Sequence, residues 1–205
     1  MTHFEEVAEL SQLKEILRRK SVRFGTFTLA SGATSDVYVD CKLTTCSPRA
    51  MPLIGRAFLR KLHSRGWVPE AVGGLTLGAD PIACAIARES LSMEQPINAF
   101  IVRKEPKKHG MQRYIEGLDQ TEGRQVVIID DVCSKGGSTA QAIEKAKAAG
   151  MHVLGALCLV DREMGAAEML DRRFGCPLDS IFKLSDLRTD QDDPHSASSL
   201  VEAGI

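Results

Sequence analysis

Apolar and polar residues follow two different periods at the start of the chain. Over residues 5–20, apolar residues recur at helical spacing, which predicts an amphipathic helix. Two short β-rich runs follow at residues 24–29 and 36–40, and the turn-rich stretch 30–35 separates them. This opening does not fit the strand–helix alternation of the later sequence. We therefore expect residues 1–45 to form a small cap, called the hood below, over one edge of the fold.

Helices and strands alternate through the rest of the chain. The pattern predicts helices at 48–65, 80–90, 138–149 and 165–174, and strands at 71–74, 97–102, 125–129, 152–160 and 180–184. The apolar run within 125–129 is continuous, which is typical of a strand covered on both faces. Such alternation predicts an α/β fold with a mostly parallel sheet flanked by helices. We expect one domain over residues 1–205, ending in a loosely held polar tail at about 186–205.

Composition and charge favour an ordinary globular protein over nucleic-acid-binding, membrane or exported proteins. The chain has 205 residues, 43% of them hydrophobic and 26% charged, which suits an ordinary globular domain. A net charge of −1 argues against non-specific nucleic-acid binding. No run approaches the ~18 apolar residues of a membrane span, and the N-terminus resembles no signal peptide. The six cysteines lack metal-binding spacing, so we expect reduced thiols in a cytoplasmic protein that neither enters a membrane nor is exported.

The most informative stretch joins a buried strand to a helix. Asp130 and Asp131 end the predicted strand, a loop with two glycines follows, and a helix begins at Ser138 or Thr139. Ligands of open parallel sheets bind at the carboxyl ends of strands, and a helix N-terminus behind a glycine loop attracts phosphate. The two carboxylates suit hydroxyls or a metal ion beside that phosphate, as a ribose 5-phosphate would require. The alternative is a structural turn in which the acids merely cap the helix.

A second candidate site is the basic segment at residues 103–113, directly after a predicted strand. Dense positive charge at the end of a buried strand packs poorly but suits a polyanion, and Pro106 and Gly110 argue against a regular helix. The alternative is a solvated charged loop, which is the usual fate of such runs. The candidate residues here are Arg103, Lys104, Lys107 and His109.

Residues 126–139 closely resemble the motif by which type I phosphoribosyltransferases bind phosphoribosyl pyrophosphate (PRPP). The resemblance implies that Asp130 and Asp131 contact the ribose 2- and 3-hydroxyls and that the loop 133–139 holds the 5-phosphate. Lys135 is a variable position in the family and receives no side-chain role. The residues so assigned to PRPP are Asp130, Asp131, Val132, Cys133, Ser134, Lys135, Gly136, Gly137, Ser138 and Thr139, with Thr76 added from a second glycine-rich loop.

Residues 103–110 resemble the catalytic loop of the orotate phosphoribosyltransferases, which commonly reads R-K-x-x-K-x-H-G. The resemblance implies that Arg103, Lys104, Lys107 and His109 are catalytic and stabilise the departing pyrophosphate. In that family the loop reaches into the neighbouring subunit's site, which implies a homodimer. Residues 112–117 resemble the continuation of the loop in one bacterial branch.

Three shorter segments resemble the same family. Residues 28–32 resemble the segment that borders the orotate ring, with Ala30 where some members have Lys. Residues 73–81 resemble the pyrophosphate loop, in which other members carry a Lys near Thr76. Arg162 follows the strand at 152–160 and contacts orotate by resemblance; the alternative is a surface ion pair with Asp161 or Glu163. The residues assigned to orotate are Ser31, Gly32, Ser134 and Arg162.

These resemblances run in order from Phe27 to about Arg162. They imply the type I phosphoribosyltransferase fold and transfer of the phosphoribosyl group from PRPP to N1 of orotate. The products would be orotidine 5-monophosphate and pyrophosphate, in UMP biosynthesis, with Mg²⁺ held mainly by PRPP and not directly by the protein. Two alternatives stay open. A purine-type phosphoribosyltransferase shares the Asp-Asp loop but lacks the R-K-x-x-K-x-H-G pattern. A PRPP-sensing regulator would need a DNA-binding segment or a broad basic face, and neither is visible.

Overall fold

The computed structural model describes residues 3–28, 32, 34–106, 114–189 and 192. The helices are α1 (His3–Ser21), α2 (Lys42–Thr45), α3 (Met51–Ser64), α4 (Ala79–Glu89), α5 (Gly137–Ala148), α6 (Ala166–Phe174) and α7 (Leu184–Leu187). The strands are β1 (Val22–Thr28), β2 (Thr34–Val39), β3 (Ala71–Leu75), β4 (Asn98–Val102), β5 (Ile115–Glu116), β6 (Gln125–Cys133), β7 (His152–Asp161) and β8 (Leu178–Lys183). None of the helices in these ranges is both long and apolar enough to cross a membrane.

Six strands form the main sheet in the order β5-β4-β3-β6-β7-β8. All neighbouring pairs are parallel except the short edge strand β5, which runs antiparallel to β4. The predicted mostly parallel α/β sheet is therefore confirmed. The chain leaves β3 toward one edge and β6 toward the other, so the strand order reverses between these two strands. In open α/β sheets this switch point is where ligands bind, at the carboxyl ends of the strands.

Both faces of the sheet are covered, as the apolar run in β6 predicts. Alternate residues of a strand point to opposite faces. Val127 and Ile129 accordingly belong to the cluster that includes α3 and α4, whereas Val126 and Ile128 belong to the cluster that includes α5. All four side chains are fully buried. This two-sided burial makes β6 rigid and fixes the position of the residues that follow it.

The hairpin β1–β2 forms a separate two-stranded antiparallel sheet beside α1. Leu13 and Leu17 of α1 are fully buried in the cluster shared with α3. Ser35 of β2 accepts a hydrogen bond from Arg162 Nη2 at 3.3 Å, so the hairpin lies near the carboxyl end of β7. The division of the chain into a hood at 1–45 and a tail at 186–205 stays a prediction.

The structure departs from the predicted boundaries in three ways. Strand β6 does not end at Ile129 but continues to Cys133, because the equally long β7 supplies backbone partners as far as Cys133↔Asp161. Elements α2, β5 and α7 were not predicted, since two to four residues are too few to show a period. Leu187, at the start of the predicted tail, is fully buried, and its carbonyl accepts a hydrogen bond from Arg18 Nε at 3.2 Å.

Candidate active site

The two aspartates lie at the carboxyl end of β6, next to the switch point of the sheet. Asp130 is buried, and its Oδ2 accepts hydrogen bonds from Ser138 Oγ at 2.7 Å and Thr139 Oγ1 at 2.8 Å. Its Oδ1 accepts the backbone N–H of Asp131 at 3.0 Å. Burial raises the pKa of Asp130 to about 6, although the two hydroxyls oppose this shift. Through these hydrogen bonds Asp130 ties β6 to the first turn of α5.

Asp131 stands where three segments meet. Its Oδ1 accepts the backbone N–H of Val132 at 2.9 Å, and its Oδ2 lies 3.8 Å from Lys42 Nζ. Gly78, in the loop after β3, is packed so closely that a Cβ atom there would lie 2.3 Å from Asp131 Oδ1. A side chain at position 78 would therefore displace the carboxylate. Asp131 therefore lies close to Lys42 of the hood and Gly78 of the glycine-rich loop, near the end of β6 and just before the loop between β6 and α5.

The loop after β6 has the form of an anion cradle. Gly136 precedes α5 with φ +77°, a left-handed conformation that favours glycine, and no side chain in the described structure caps this helix. The N–H groups in the first turn of a helix have no intrahelical acceptor, so they are available to an anion. Lys135 and Gly137 are exposed, which leaves the cradle open to solvent, while Ser134 is half-buried.

Besides Thr139, whose buried hydroxyl is bonded to Asp130, two further residues assigned to PRPP direct their side chains to protein partners. Cys133 is fully buried, and its Sγ lies 3.4 Å from Thr139 Oγ1, so it offers a ligand only its backbone. Thr76 donates its hydroxyl to Asp80 Oδ2 at 2.7 Å, and its backbone N–H donates to the Val102 carbonyl at 2.9 Å. The peptide bond after Thr76 is cis. Both hydrogen bonds of Thr76 hold the glycine-rich loop in shape beside Asp131.

Arg162 reaches the site from the end of β7. Its backbone N–H donates to the Cys133 carbonyl at 2.8 Å, which fixes it beside the cradle. Its guanidinium donates to Ser35, yet Nε is buried without a hydrogen-bond partner in the described structure. A buried donor left without a partner costs about 1–3 kcal/mol, so a ligand acceptor at this point would be favoured. The alternative ion pair with Asp161 or Glu163 is not formed among these described residues.

The basic segment is described only in part. Arg103 and Lys104 follow β4, so they lie at the carboxyl ends of the parallel strands, as the cradle does. The Arg103 guanidinium lies 3.6 Å from the Glu116 carboxylate. Lys107 and His109 lie outside the described residues, and so does Ser31 of the candidate orotate segment. Gly32 is described as exposed, with φ +81°. The start of the basic segment therefore lies at the carboxyl ends of the parallel strands, and the catalytic role of the segment stays a prediction.

Lys42 is a site residue that the sequence did not reveal. Its Nζ lies 2.8 Å from Asp40 Oδ1 and 3.8 Å from Asp131 Oδ2. The hydrogen bond that Lys42 donates to the Asp40 carboxylate raises the pKa of Lys42, so the amine stays charged. The local pattern gave no signal, because Lys42 belongs to the hood and only the tertiary fold brings it to β6. It adds positive charge near the glycine-rich loop, where Thr76 supplies none.

All six cysteines are free thiols, and four of them are buried. Among the residues that the structure describes, no group of three or more His, Cys, Asp or Glu side chains is placed to hold a metal ion. The described protein side chains therefore provide carboxylate oxygens but not a complete ligand set of their own.

No protein-family model matches the chain. It is 43% identical over 182 residues to an orotate phosphoribosyltransferase from Aquifex aeolicus (strain VF5), covering 87% of this chain and 97% of that protein. It is 45% identical over 179 residues to an orotate phosphoribosyltransferase from Mycobacterium avium (strain 104), covering 87% and 96%. The fold matches the crystal structure of the Mycobacterium tuberculosis H37Rv orotate phosphoribosyltransferase in complex with PRPP, with TM-score 0.73, 36% identity and coverage of 87% of this chain and 98% of that one.

Proposed function

The chain belongs to the orotate phosphoribosyltransferases, as the motif resemblance predicts, and we propose that it transfers the phosphoribosyl group of PRPP to N1 of orotate with Mg²⁺. The products would be orotidine 5-monophosphate and pyrophosphate, in cytoplasmic UMP biosynthesis. One observation carries this proposal: an uncapped helix N-terminus adjoins Asp131 at the switch point of the sheet. That pairing of an anion cradle with a carboxylate suits a phosphorylated sugar.

PRPP would bind with its 5-phosphate in the loop 133–139 and its ribose hydroxyls at the aspartates. Asp130 already accepts three protein hydrogen bonds, so we assign it to shaping the cradle as well as to contacting the ribose. Among the residues that the structure describes, Asp131 Oδ2 has only the more distant Lys42 amine beside it, so it is better able to accept a ribose hydroxyl. The M. tuberculosis relative of this fold is described in complex with PRPP, which supports the assignment.

Orotate would bind next to Arg162. The buried Nε without a partner is a donor that a carboxylate or carbonyl oxygen of the base can satisfy, and a guanidinium recognises carboxylates through paired hydrogen bonds. Ser31, Gly32 and Ser134 are assigned to the same ligand by resemblance. Of these, Ser134 directly follows Cys133, whose carbonyl accepts the Arg162 N–H, so the two candidate orotate contacts are neighbours.

The described side chains fit a magnesium ion that PRPP brings with it. Mg²⁺ prefers oxygen ligands and commonly keeps waters and substrate phosphates while taking one or two carboxylates. Asp131 offers such a carboxylate oxygen, and no described cluster would hold the ion alone. When bound, Mg²⁺ would neutralise negative charge on the diphosphate oxygens.

The chain's own residues would stabilise the charge that develops as the bond from ribose C1 to diphosphate breaks. Arg103, Lys104, Lys107 and His109 would face the departing diphosphate as preorganised cations. Arg162 would hold orotate with N1 toward ribose C1. By the same resemblance we propose a homodimer in which residues 103–113 complete the neighbouring subunit's site.

An absorbance assay of orotate consumption tests this function. We expect consumption that requires both PRPP and Mg²⁺, and no phosphoribosylation of hypoxanthine, adenine or uracil at a comparable rate. Turnover of a purine in place of orotate would support the purine-type alternative. Binding of PRPP without turnover of any base would instead support the regulator.

Replacing Lys42 by methionine is expected to weaken PRPP binding roughly fivefold, since a partly exposed charge contact contributes about 1 kcal/mol. The cation beside Asp131 would be lost while the aliphatic chain is kept. Titration calorimetry with PRPP provides the measurement. The matched control is Lys61→Met. Lys61 lies on α3, away from the cradle, and its Nζ lies 3.3 Å from Asp179 Oδ1. Equal affinities of the two variants would remove Lys42 from the site.

A further inference from the structure

Helix α5 carries a lysine that contacts the first two residues of the basic segment and the residue that directly follows it. Lys145 Nζ donates hydrogen bonds to the carbonyl of Arg103 at 2.9 Å and to the carbonyl of Lys104 at 2.8 Å. The same amine lies 4.5 Å from the centroid of the Tyr114 ring. Arg103 and Lys104 begin the segment and Tyr114 follows it, so one side chain binds its entry and its exit.

The two ends are also joined to each other. The backbone N–H of Arg103 donates to the Tyr114 carbonyl at 2.8 Å, immediately before the antiparallel pairing of β5 with β4. The Arg103–Tyr114 hydrogen bond and the pairing of β4 with β5 already join the residues on either side of the segment, and the contacts of Lys145 add a third connection between them. An ammonium group suits this position because it has three donors, and because a cation is attracted to the face of an aromatic ring. Hydrogen bonds from a charged donor are also stronger than neutral ones.

The position of Lys145 on α5 relates this base to the cradle. Ser138, which donates to Asp130, lies about two turns earlier and therefore on the same face of the helix. Helix α5 is held to the sheet by buried residues that include Ile143 and Ala146, on either side of Lys145 in sequence. One rigid helix therefore contacts Asp130 at its start and the base of the basic segment two turns later.

We propose that Lys145 is a positioning residue that fixes Arg103, Lys104 and Tyr114, the base of the basic segment, to helix α5, and so sets where the segment leaves the sheet. This inference rests on the proposed function, because the segment matters to catalysis only if its cations meet the leaving diphosphate. Lys145 itself touches carbonyl oxygens and a ring, so it acts through Arg103 and Lys104. Its loss would change the placement of the cations and affect turnover more than substrate binding.

The experiment compares Lys145→Met with Lys147→Met. Lys147 is a matched control because it lies on the same helix, donates to the Phe174 carbonyl at 3.0 Å and has its amine 5.7 Å from the Phe174 ring. We expect Lys145→Met to lower kcat about tenfold to a hundredfold, the effect of a misplaced catalytic group, with the KM for orotate within about twofold of wild type. Lys145→Arg, which keeps a cationic donor, should recover most of kcat, and Lys147→Met should match wild type.

Hydrogen exchange gives a readout that does not depend on activity. The Arg103 amide, which is bonded to the Tyr114 carbonyl, should exchange about tenfold faster in Lys145→Met than in Lys147→Met, because loss of the anchor lets the base open locally. An unchanged exchange rate, or a kcat loss shared equally by both variants, would overturn the proposal. An inactive wild-type protein would instead reject the proposed function, while exchange would still decide whether Lys145 anchors the segment.

Discussion

Replacing Lys107 by alanine is expected to lower turnover roughly 10²–10³-fold, the scale of losing one preorganised donor to a developing negative charge. In the proposed reaction, the bond from ribose C1 to diphosphate would break with negative charge accumulating on the leaving group. A cation that meets this charge stabilises the transition state more than the ground state, so kcat should fall while the KM for orotate changes little. Steady-state rates of orotate consumption at saturating PRPP and Mg²⁺ provide the measurement.

The neighbouring lysine supplies the control for that experiment. Lys108 occupies a variable position of the R-K-x-x-K-x-H-G pattern, whereas Lys107 occupies a fixed one. Lys108→Ala removes the same charge from the adjacent residue and is expected to keep turnover within about threefold of wild type. Equal losses in both variants would mean that only the total charge of the segment matters. Turnover of Lys107→Ala within about twofold of wild type would exclude Lys107 from the mechanism.

Replacing Asp131 by asparagine is expected to weaken PRPP binding by about tenfold to a hundredfold, which corresponds to the roughly 1.5–3 kcal/mol of a hydrogen bond to a charged group. Asparagine keeps the size of the side chain, and its carbonyl oxygen can still accept the Val132 N–H that Asp131 accepts at 2.9 Å. The change therefore removes the charge while leaving the strand intact. The affinity for orotate should fall by less than about threefold, since the base is assigned to Arg162.

Titration calorimetry with each ligand separates the two effects. Asp161→Asn is the control, because Asp161 pairs with Cys133 across the sheet, and its Oδ1 accepts the Glu163 N–H at 2.8 Å. Like Asp131, Asp161 is a carboxylate near the carboxyl end of a parallel strand that accepts a nearby backbone N–H, but no ligand is assigned to it. A larger loss of orotate affinity than of PRPP affinity in Asp131→Asn would contradict the ribose assignment.

The fold could be predicted from sequence wherever an element was long enough to show a period. Strand β6 was recognised because four consecutive apolar residues must be covered on both faces, and α3, α4, α5 and α6 because their apolar residues recur along one face. Strand β5 was missed because two residues show no period, and it exists only because β4 offers it an open edge. The full length of β6 was also missed, since its last residues are held by β7 and not by their own hydrophobicity.

The parts of the cradle could be predicted from the sequence, because they are contiguous. Asp130, the two glycines and the first turn of α5 lie within ten residues, so the local backbone geometry is enough to place the hydroxyls of Ser138 and Thr139 on the carboxylate. The tertiary structure alone decided the contacts between distant segments. Lys42 meets Asp131 and Lys145 meets Arg103 only after the hood and α5 have packed against the sheet. No periodic pattern encodes such pairs, because they depend on how separate elements pack and not on the residues adjacent to them.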